Sequence, residues 1–150
     1  MKTAFFAGSF DPFTIGHASV VRRALGVFDR VVIGVGDNSS KRYSRTTEQR
    51  KSDIESVYAD EPRVEVVVYD GLTVDAVKEC GADVIVKGTR SVADFESERS
   101  QADINREIAG VETVLFIAEP GLSGVSSTMV RELEQNGVDV SRFLAKQDNK

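Results

Sequence analysis

Short apolar runs alternate with segments of helical periodicity along the whole chain. Thr3–Ala7, Arg30–Val35, Arg63–Tyr69, Asp83–Val86 and Glu112–Ala118 read as strands. Several are continuous Val/Ile runs, the pattern of parallel strands covered on both faces. Between them Gly16–Phe28, Thr47–Tyr58, Thr73–Cys80, Val92–Ala109 and Ser127–Asn136 read as helices. Thr46-x-x-Gln49 and Ser91-x-x-Asp94 resemble capping boxes, and Gly81, Gly110 and Gly137 stand where C-terminal glycines belong. Such alternation predicts an α/β protein, a doubly wound parallel five-stranded sheet of Rossmann-like type with right-handed crossovers. No repeat, low-complexity stretch or linker interrupts it, so residues 1–150 read as a single domain.

One helix departs from the pattern. Val92–Ala109 is polar around most of its circumference, with a thin apolar stripe of Phe95, Ala102 and Ala109, as in helices that line a cleft or meet a partner. After Arg142 the chain reads as a short turn and a frayed polar end. In a doubly wound sheet, ligands bind beyond the carboxyl ends of the strands, near a topological switch. The loops expected there are Gly8–Gly16, Gly36–Arg45, Asp70–Leu72, Lys87–Arg90 and Glu119–Ser126.

Composition narrows the function. Apolar runs such as Val114–Ala118 are far too short to span a bilayer, and no signal-peptide core follows Met1. A single cysteine, Cys80, cannot form an internal disulfide and suits a reducing cytoplasm. With 24 acids against 19 bases, a net charge of −5 argues against a general nucleic-acid binder but not against a small anion held by a local basic cluster. One histidine and one cysteine are too few for a zinc site of the usual kind.

The candidate chemistry lies in the loops. Gly8-Ser9-Phe10-Asp11-Pro12-Phe13-Thr14-Ile15-Gly16-His17 leaves a strand and opens a helix, whose free N–H groups and partial positive charge suit a phosphate. His17, the only histidine, lies in that first turn, able either to cap the turn or to donate to a phosphate oxygen. Lys41, Arg42 and Arg45 form a basic run that is either solvated or, at the end of the second strand, a phosphate contact. Gly34-x-Gly36-x-x-Ser39 mimics part of a GxGxxG fingerprint but lacks its third glycine, and reads as strand and turn packing. A P-loop pattern, GxxxxGK(S/T), is missing. Cys80 reads as a small filler, and Asp94 and Glu96 as charges suited to a helix start. Ser126-Ser127-Thr128 reads as an N-cap cluster whose hydroxyls also offer phosphate donors.

Thr14-Ile15-Gly16-His17 resembles the (H/T)xGH signature of nucleotidyltransferases with a dinucleotide-binding-like fold. Val125-Ser126-Ser127-Thr128-Met129-Val130-Arg131 resembles their second signature, ISSTxxR. Between them, Lys87-Gly88-Thr89-Arg90-Ser91-Val92-Ala93-Asp94-Phe95-Glu96-Ser97-Glu98 is similar to the (R/K)GxRxxxDFExE block of phosphopantetheine adenylyltransferases. The resemblance runs from Lys2 to about Phe143. It implies adenylyl transfer from ATP to 4′-phosphopantetheine, giving dephospho-coenzyme A and pyrophosphate with Mg²⁺ present, in a cytoplasmic homohexamer that binds neither nucleic acid nor membrane. No metal ligand is assigned.

Position by position, the resemblance places His17 as the transition-state-stabilising residue and Ser9, Lys41, Thr73 and Lys87 on the phosphopantetheine side. It places Ser9, Phe10, His17, Gly88, Thr89, Arg90, Glu98 and Leu122, Ser123, Gly124, Val125, Ser126, Ser127 and Thr128 around ATP. Gly88 is expected to let the backbone turn sharply between Lys87 and Arg90. Two departures stand out: Ser97 replaces a common tyrosine, and Lys87 a common arginine. The Lys87–Glu98 block argues against sibling enzymes that use nicotinamide mononucleotide or glycerol phosphate, and a non-catalytic nucleotide sensor would have no need of a second anion subsite.

Overall fold

A computed structural model describes residues 1–149. Five strands, β1 (Thr3–Gly8), β2 (Arg30–Gly36), β3 (Val64–Tyr69), β4 (Val84–Thr89) and β5 (Glu112–Ile117), form one sheet. Every pairing is parallel and the order is β3-β2-β1-β4-β5. The connecting helices are α1 (Ile15–Ala24), α2 (Thr47–Val57), α3 (Thr73–Glu79) and α4 (Val92–Ala109), and α5 (Ser127–Gln135) follows the last strand.

The strand pleat divides the core in two. Ala4 and Phe6 point with Val31 and Ile33 toward α1 and α2, where Ala18, Val21, Ile54 and Val57 close the first cluster. Phe5 and Ala7 point the other way with Val32 and Ile85, against Val74 and Val77 of α3. Each Val, Ile or Phe side chain among them, taken out of water, contributes about 1.5–3 kcal/mol, so the central strands anchor everything attached to their ends. Gly34 belongs to this packing: a Cβ there would stand 2.2 Å from Phe5 Cζ. The GxGxxG-like stretch is therefore strand packing, as its missing glycine suggests. The run in β3 is not covered on both faces; β3 is an edge strand, and Val68 is exposed.

β1 is the switch point, with β2 on one side and β4 on the other. Its ladder with β2 runs to Gly8↔Val35, but its ladder with β4 stops at Phe6↔Val86. Beyond that point β4 continues beside β5 through Thr89. The sheet thus splits between β1 and β4 at its carboxyl edge, and a crevice opens there.

Four sequence expectations change. Lys87, Gly88 and Thr89 are strand residues, not loop. Gly88 turns nothing; a Cβ on it would meet Val20 Cγ2 at 2.9 Å, so glycine lets α1 approach β4. On α4 the inward face is Asp94, Glu98, Ala102, Asn105 and Ala109, and Phe95 lies off it, 45% exposed. The third change concerns the tail, which docks: Leu144 forms an antiparallel bridge with Thr14, and Ala145 N–H donates to the Phe13 carbonyl at 3.3 Å. α1 also ends at Ala24, because Gly26, Val27 and Phe28 close a turn onto Arg23 and Ala24 instead of prolonging the helix.

Candidate active site

The loop after β1 is tied down from several directions. Phe10 adopts a left-handed backbone (φ 52°), and its ring packs against Phe6, Phe13 and His17. Gly8 makes the room: a Cβ there would stand 2.8 Å from Phe10 Cζ. The buried Asp11 carboxylate accepts the N–H groups of Ser44 (2.7 Å) and Arg45 (3.0 Å), fastening the β2–α2 loop to the first loop. From the other side, Arg131 donates to the Asp11 carbonyl and Ser127 to the Pro12 carbonyl, each at 2.7 Å. Arg45 forms a two-pronged pair with Glu134 on α5, at 3.1 and 2.7 Å.

At the start of α1 stands a reciprocal capping box in which histidine takes the place usually held by glutamate. His17 N–H donates to Thr14 Oγ1 at 3.3 Å, and Thr14 N–H donates to His17 Nδ1 at 2.9 Å. A backbone N–H can only donate, so Nδ1 must be the acceptor and the proton of the neutral ring lies on Nε2. Burial, followed by the charges of Lys87 and Arg90, lowers the His17 pKa from 6.5 to about 3. His17 is thus both a cap and a neutral donor.

The boxes expected at Thr46 and Ser91 are only half present. Thr46 accepts from Gln49 N–H and Ser91 from Asp94 N–H. Their return partners turn elsewhere: Gln49 to Asp53, and Asp94 to Arg90 N–H.

Two cavities flank the split in the sheet. The first, of about 310 Å³, is lined by Phe10, His17, Gly88, Thr89, Arg90 and Glu98, with Leu122, Val125, Ser126, Ser127 and Thr128 on the far wall. The N-termini of α1, α4 and α5 border this cavity, presenting three positive helix ends to one space. The second, of about 780 Å³, is lined by Ser9, Lys41, Tyr43, Thr73 and Lys87. Lys87 borders both, its ammonium 3.6 Å from Glu98 and within 3.4 Å of the Ala7 carbonyl. Lys41 donates to Ser9 Oγ at 3.2 Å, joining two candidates 32 residues apart.

Seventeen site residues are expected, and the structure gathers most of them as two groups. Ser9 borders the second cavity, and Ser123 and Gly124 are exposed on the crest of the loop before α5. The three hydroxyls before α5 are already engaged: Ser126 caps Met129 N–H, Ser127 holds Pro12, and Thr128 accepts from Arg131. The helix end and not the hydroxyl row remains for an anion. Missed by sequence reasoning were Asp11, Arg50, Ser19 and Arg23. Ser19 and Arg23 line the first cavity, where Ser19 donates to Glu119 at 2.7 Å and Arg23 stands over the Phe116 ring. No short motif marks these residues; only the i, i+4 spacing of Ser19 and Arg23 on α1 hints at those two.

Among the described residues no group of three His, Cys, Asp or Glu side chains could hold a metal ion. The carboxylates bordering the first cavity are each engaged by a cation: Glu98 by Lys87, Asp94 by Arg90 and Glu119 by Arg22. This donor set does not fit a resident metal; the three lining carboxylates balance the lining Arg23, Lys87 and Arg90, so the pull on an anionic ligand comes from the helix N-termini.

A parallel sheet split at β1, with helix N-termini and basic side chains at the split, is the layout of a nucleotidyltransferase. A family model described as cytidylyltransferase-like matches residues 5–133. The bifunctional NMN adenylyltransferase/ADP ribose pyrophosphatase of Francisella tularensis has the same fold, with a TM-score of 0.72 at 18% identity. The match covers 98% of this chain and 46% of that one, so the chain spans less than half of the larger protein.

Among curated relatives, the phosphopantetheine adenylyltransferase of Phocaeicola vulgatus is 54% identical over 144 residues, 96% of this chain and 95% of the relative. That of Bacteroides fragilis is 51% identical over 146 residues, 97% of each chain. The chain belongs to the phosphopantetheine adenylyltransferase family.

Proposed function

We propose that the protein transfers the adenylyl group of ATP to 4′-phosphopantetheine, releasing pyrophosphate and forming dephospho-coenzyme A. The observation that carries this reading is the neutral His17, its Nε2–H free as a donor in a cavity that shares Lys87 with a second basic cavity. One anion site beside another, with a fixed donor at one and a shared cation between, suits joining two phosphates.

ATP occupies the first cavity, with its phosphates toward the helix ends, Arg90 and His17. The phosphate of the acceptor occupies the second, held by Ser9, Lys41 and Lys87, with Thr73 beside its arm. An acceptor oxygen attacks the α-phosphorus in line; the new O–P bond forms as the bond to the β-phosphate oxygen breaks, and pyrophosphate leaves with that electron pair. The acceptor is already an anion, so no base is required. The protein's work is alignment and neutralisation of charge on the phosphate oxygens. Mg²⁺ enters with the nucleotide as MgATP, which agrees with protein carboxylates that are already paired.

A neutral histidine suits this task. Were His17 protonated it would add a third cation beside Lys87 and Arg90, but it would also lose its Nδ1 acceptor and with it the bond from Thr14 N–H. Holding the ring neutral keeps the donor in one place.

The test is pyrophosphate release from ATP with a panel of phosphorylated acceptors. Turnover with phosphopantetheine is the expected result. Turnover only with nicotinamide mononucleotide or glycerol phosphate overturns the acceptor, and ATP binding without any turnover overturns the enzyme. We also propose a cytoplasmic homohexamer. Apolar Val92, Ile104 and Ile108 exposed on α4 offer an interface, and no helix among the described residues is long and apolar enough to cross a membrane. A monomer by light scattering at working concentration overturns the assembly.

A further inference from the structure

We infer that Arg50 is a positioning residue for the acceptor phosphate: it fixes the spacing of Ser9 and Lys41, an inference that rests on the proposed role of the second cavity. Arg50 lies in the first turn of α2 and is fully buried. Its Nη1 donates to two carbonyls, Ser9 at 2.7 Å and Gly36 at 2.9 Å. Nη2 donates to Thr47 Oγ1 at 3.1 Å, and the guanidinium lies 3.8 Å from the Tyr43 ring centroid. Ser9, Gly36 and Tyr43 all line the second cavity, and Arg50 stands directly behind all three.

The two carbonyls explain why a donor is needed there. The β1–β2 ladder ends at Gly8↔Val35, so the Ser9 and Gly36 carbonyls lie just past it, although Gly36 still pairs with Tyr69 of β3 on its other side. Buried backbone acceptors need a donor, and Arg50 reaches both from a third element. A closed circuit then runs to the anion contacts. Tyr43 stacks on Arg50 and accepts from Asn38 N–H at 2.9 Å. Lys41 N–H donates to the Asn38 carbonyl at 3.0 Å, and Lys41 Nζ donates to Ser9 Oγ at 3.2 Å. Ser9 returns to Arg50 through its carbonyl.

Helix stability does not account for this cation. The first turn of a helix disfavours positive charge, and a buried charge is costly to desolvate. Among the described residues no carboxylate pairs with Arg50, and its Nε has no partner. Lysine in its place would keep the charge but lose the fork and the planar stack.

The experiment compares steady-state constants of Arg50→Lys and Tyr43→Leu with the wild-type enzyme, thermal melts being recorded for each. Displacing reacting groups by a fraction of an ångström is costly, so Arg50→Lys is expected to raise the acceptor KM about tenfold or more while the ATP KM moves less than about twofold. Tyr43→Leu, which leaves the carbonyl contacts in place, raises the acceptor KM by about threefold. A purely structural clamp lowers the melting temperature without separating the two constants, and that result overturns the inference. An acceptor KM unchanged in a folded variant also overturns it. If Arg50→Lys does not fold, Tyr43→Leu decides by the same criteria. If the wild type uses another acceptor from the panel, the proposed substrate fails but the same split is read with that acceptor. If no acceptor turns over, titration of inorganic phosphate decides: weaker binding in the variants supports the inference, and equal binding overturns it.

Discussion

The two cavities on either side of Lys87 are built by different means. The first is walled by helix starts, where each element brings its own free N–H groups and its own cap. The second is walled by side chains from loops that are far apart in sequence, and depends on Asp11 and Arg50 to hold those loops together. Backbone geometry makes one side nearly self-sufficient, whereas the other stands on a few buried polar contacts. Damage should therefore be graded on the nucleotide side and abrupt on the acceptor side, with His17 an exception because it is the donor itself.

The largest expected effect tests that exception. His17→Ala should lower kcat by about 10²–10³, the loss typical of one donor to a developing oxyanion. ATP affinity, measured by titration, should fall far less, since three helix ends remain. Near-normal turnover would leave His17 as a cap alone.

Next comes the division of labour between cations. Lys87→Ala should raise the acceptor KM about tenfold and Arg90→Ala the ATP KM by a similar factor, as expected for losing a charged hydrogen bond. Because Lys87 borders both cavities and pairs with Glu98, its variant should also move the ATP KM slightly. Equal, small changes from both substitutions would erase the distinction between the two sides.

A smaller effect isolates the cap. Thr14→Ala removes the hydroxyl that accepts His17 N–H, and should cost about 1 kcal/mol in urea denaturation. The Thr14 backbone N–H stays, so the ring keeps its tautomer and kcat should change less than in His17→Ala.

The last effect concerns pH, and is absent at neutrality. The folded His17 pKa, about 3, lies below the ordinary 6.5 of an unfolded chain. The unfolded state therefore binds the extra proton between those values. The stability from keeping this ring neutral is complete above pH 6.5 and is lost as pH falls toward 3. Denaturation midpoints should fall more steeply below pH 6.5 in the wild type than in His17→Gln, and kcat should show no inflection from His17 near 6.5. A parallel fall in both proteins would show that His17 titrates as an ordinary histidine.

Legibility in the sequence follows the same division. The five strands, five helices and their order are readable because each relies on local periodicity and punctuation. Thr14-Ile15-Gly16-His17 and Ser126–Thr128 are readable because a helix start and its ligands are contiguous. Lys87–Thr89 were misplaced in a loop because strand length is set by a neighbour: β5 offers Leu115–Ile117 as partners, which the β4 residues alone do not reveal. Asp11, Arg50 and the Thr14–Leu144 bridge were invisible for the same reason. Their partners lie 33, 41 and 130 residues away in the chain, and nothing in a window of local sequence announces a contact of that span.

That last bridge carries a consequence for the order of synthesis. A growing chain emerges from its amino end, so the turn bearing Thr14 and His17 is made well before the segment that closes it. Its outer edge is completed by Leu144 and Ala145, which follow α5 in the chain. The sheet can assemble once β5 has appeared, yet the turn that bears His17 lacks these backbone partners until residue 145 is free. A chain halted after α5 would possess the fold and both signatures while the cap stood open on one side, so the site waits on a segment made after the sheet that carries it.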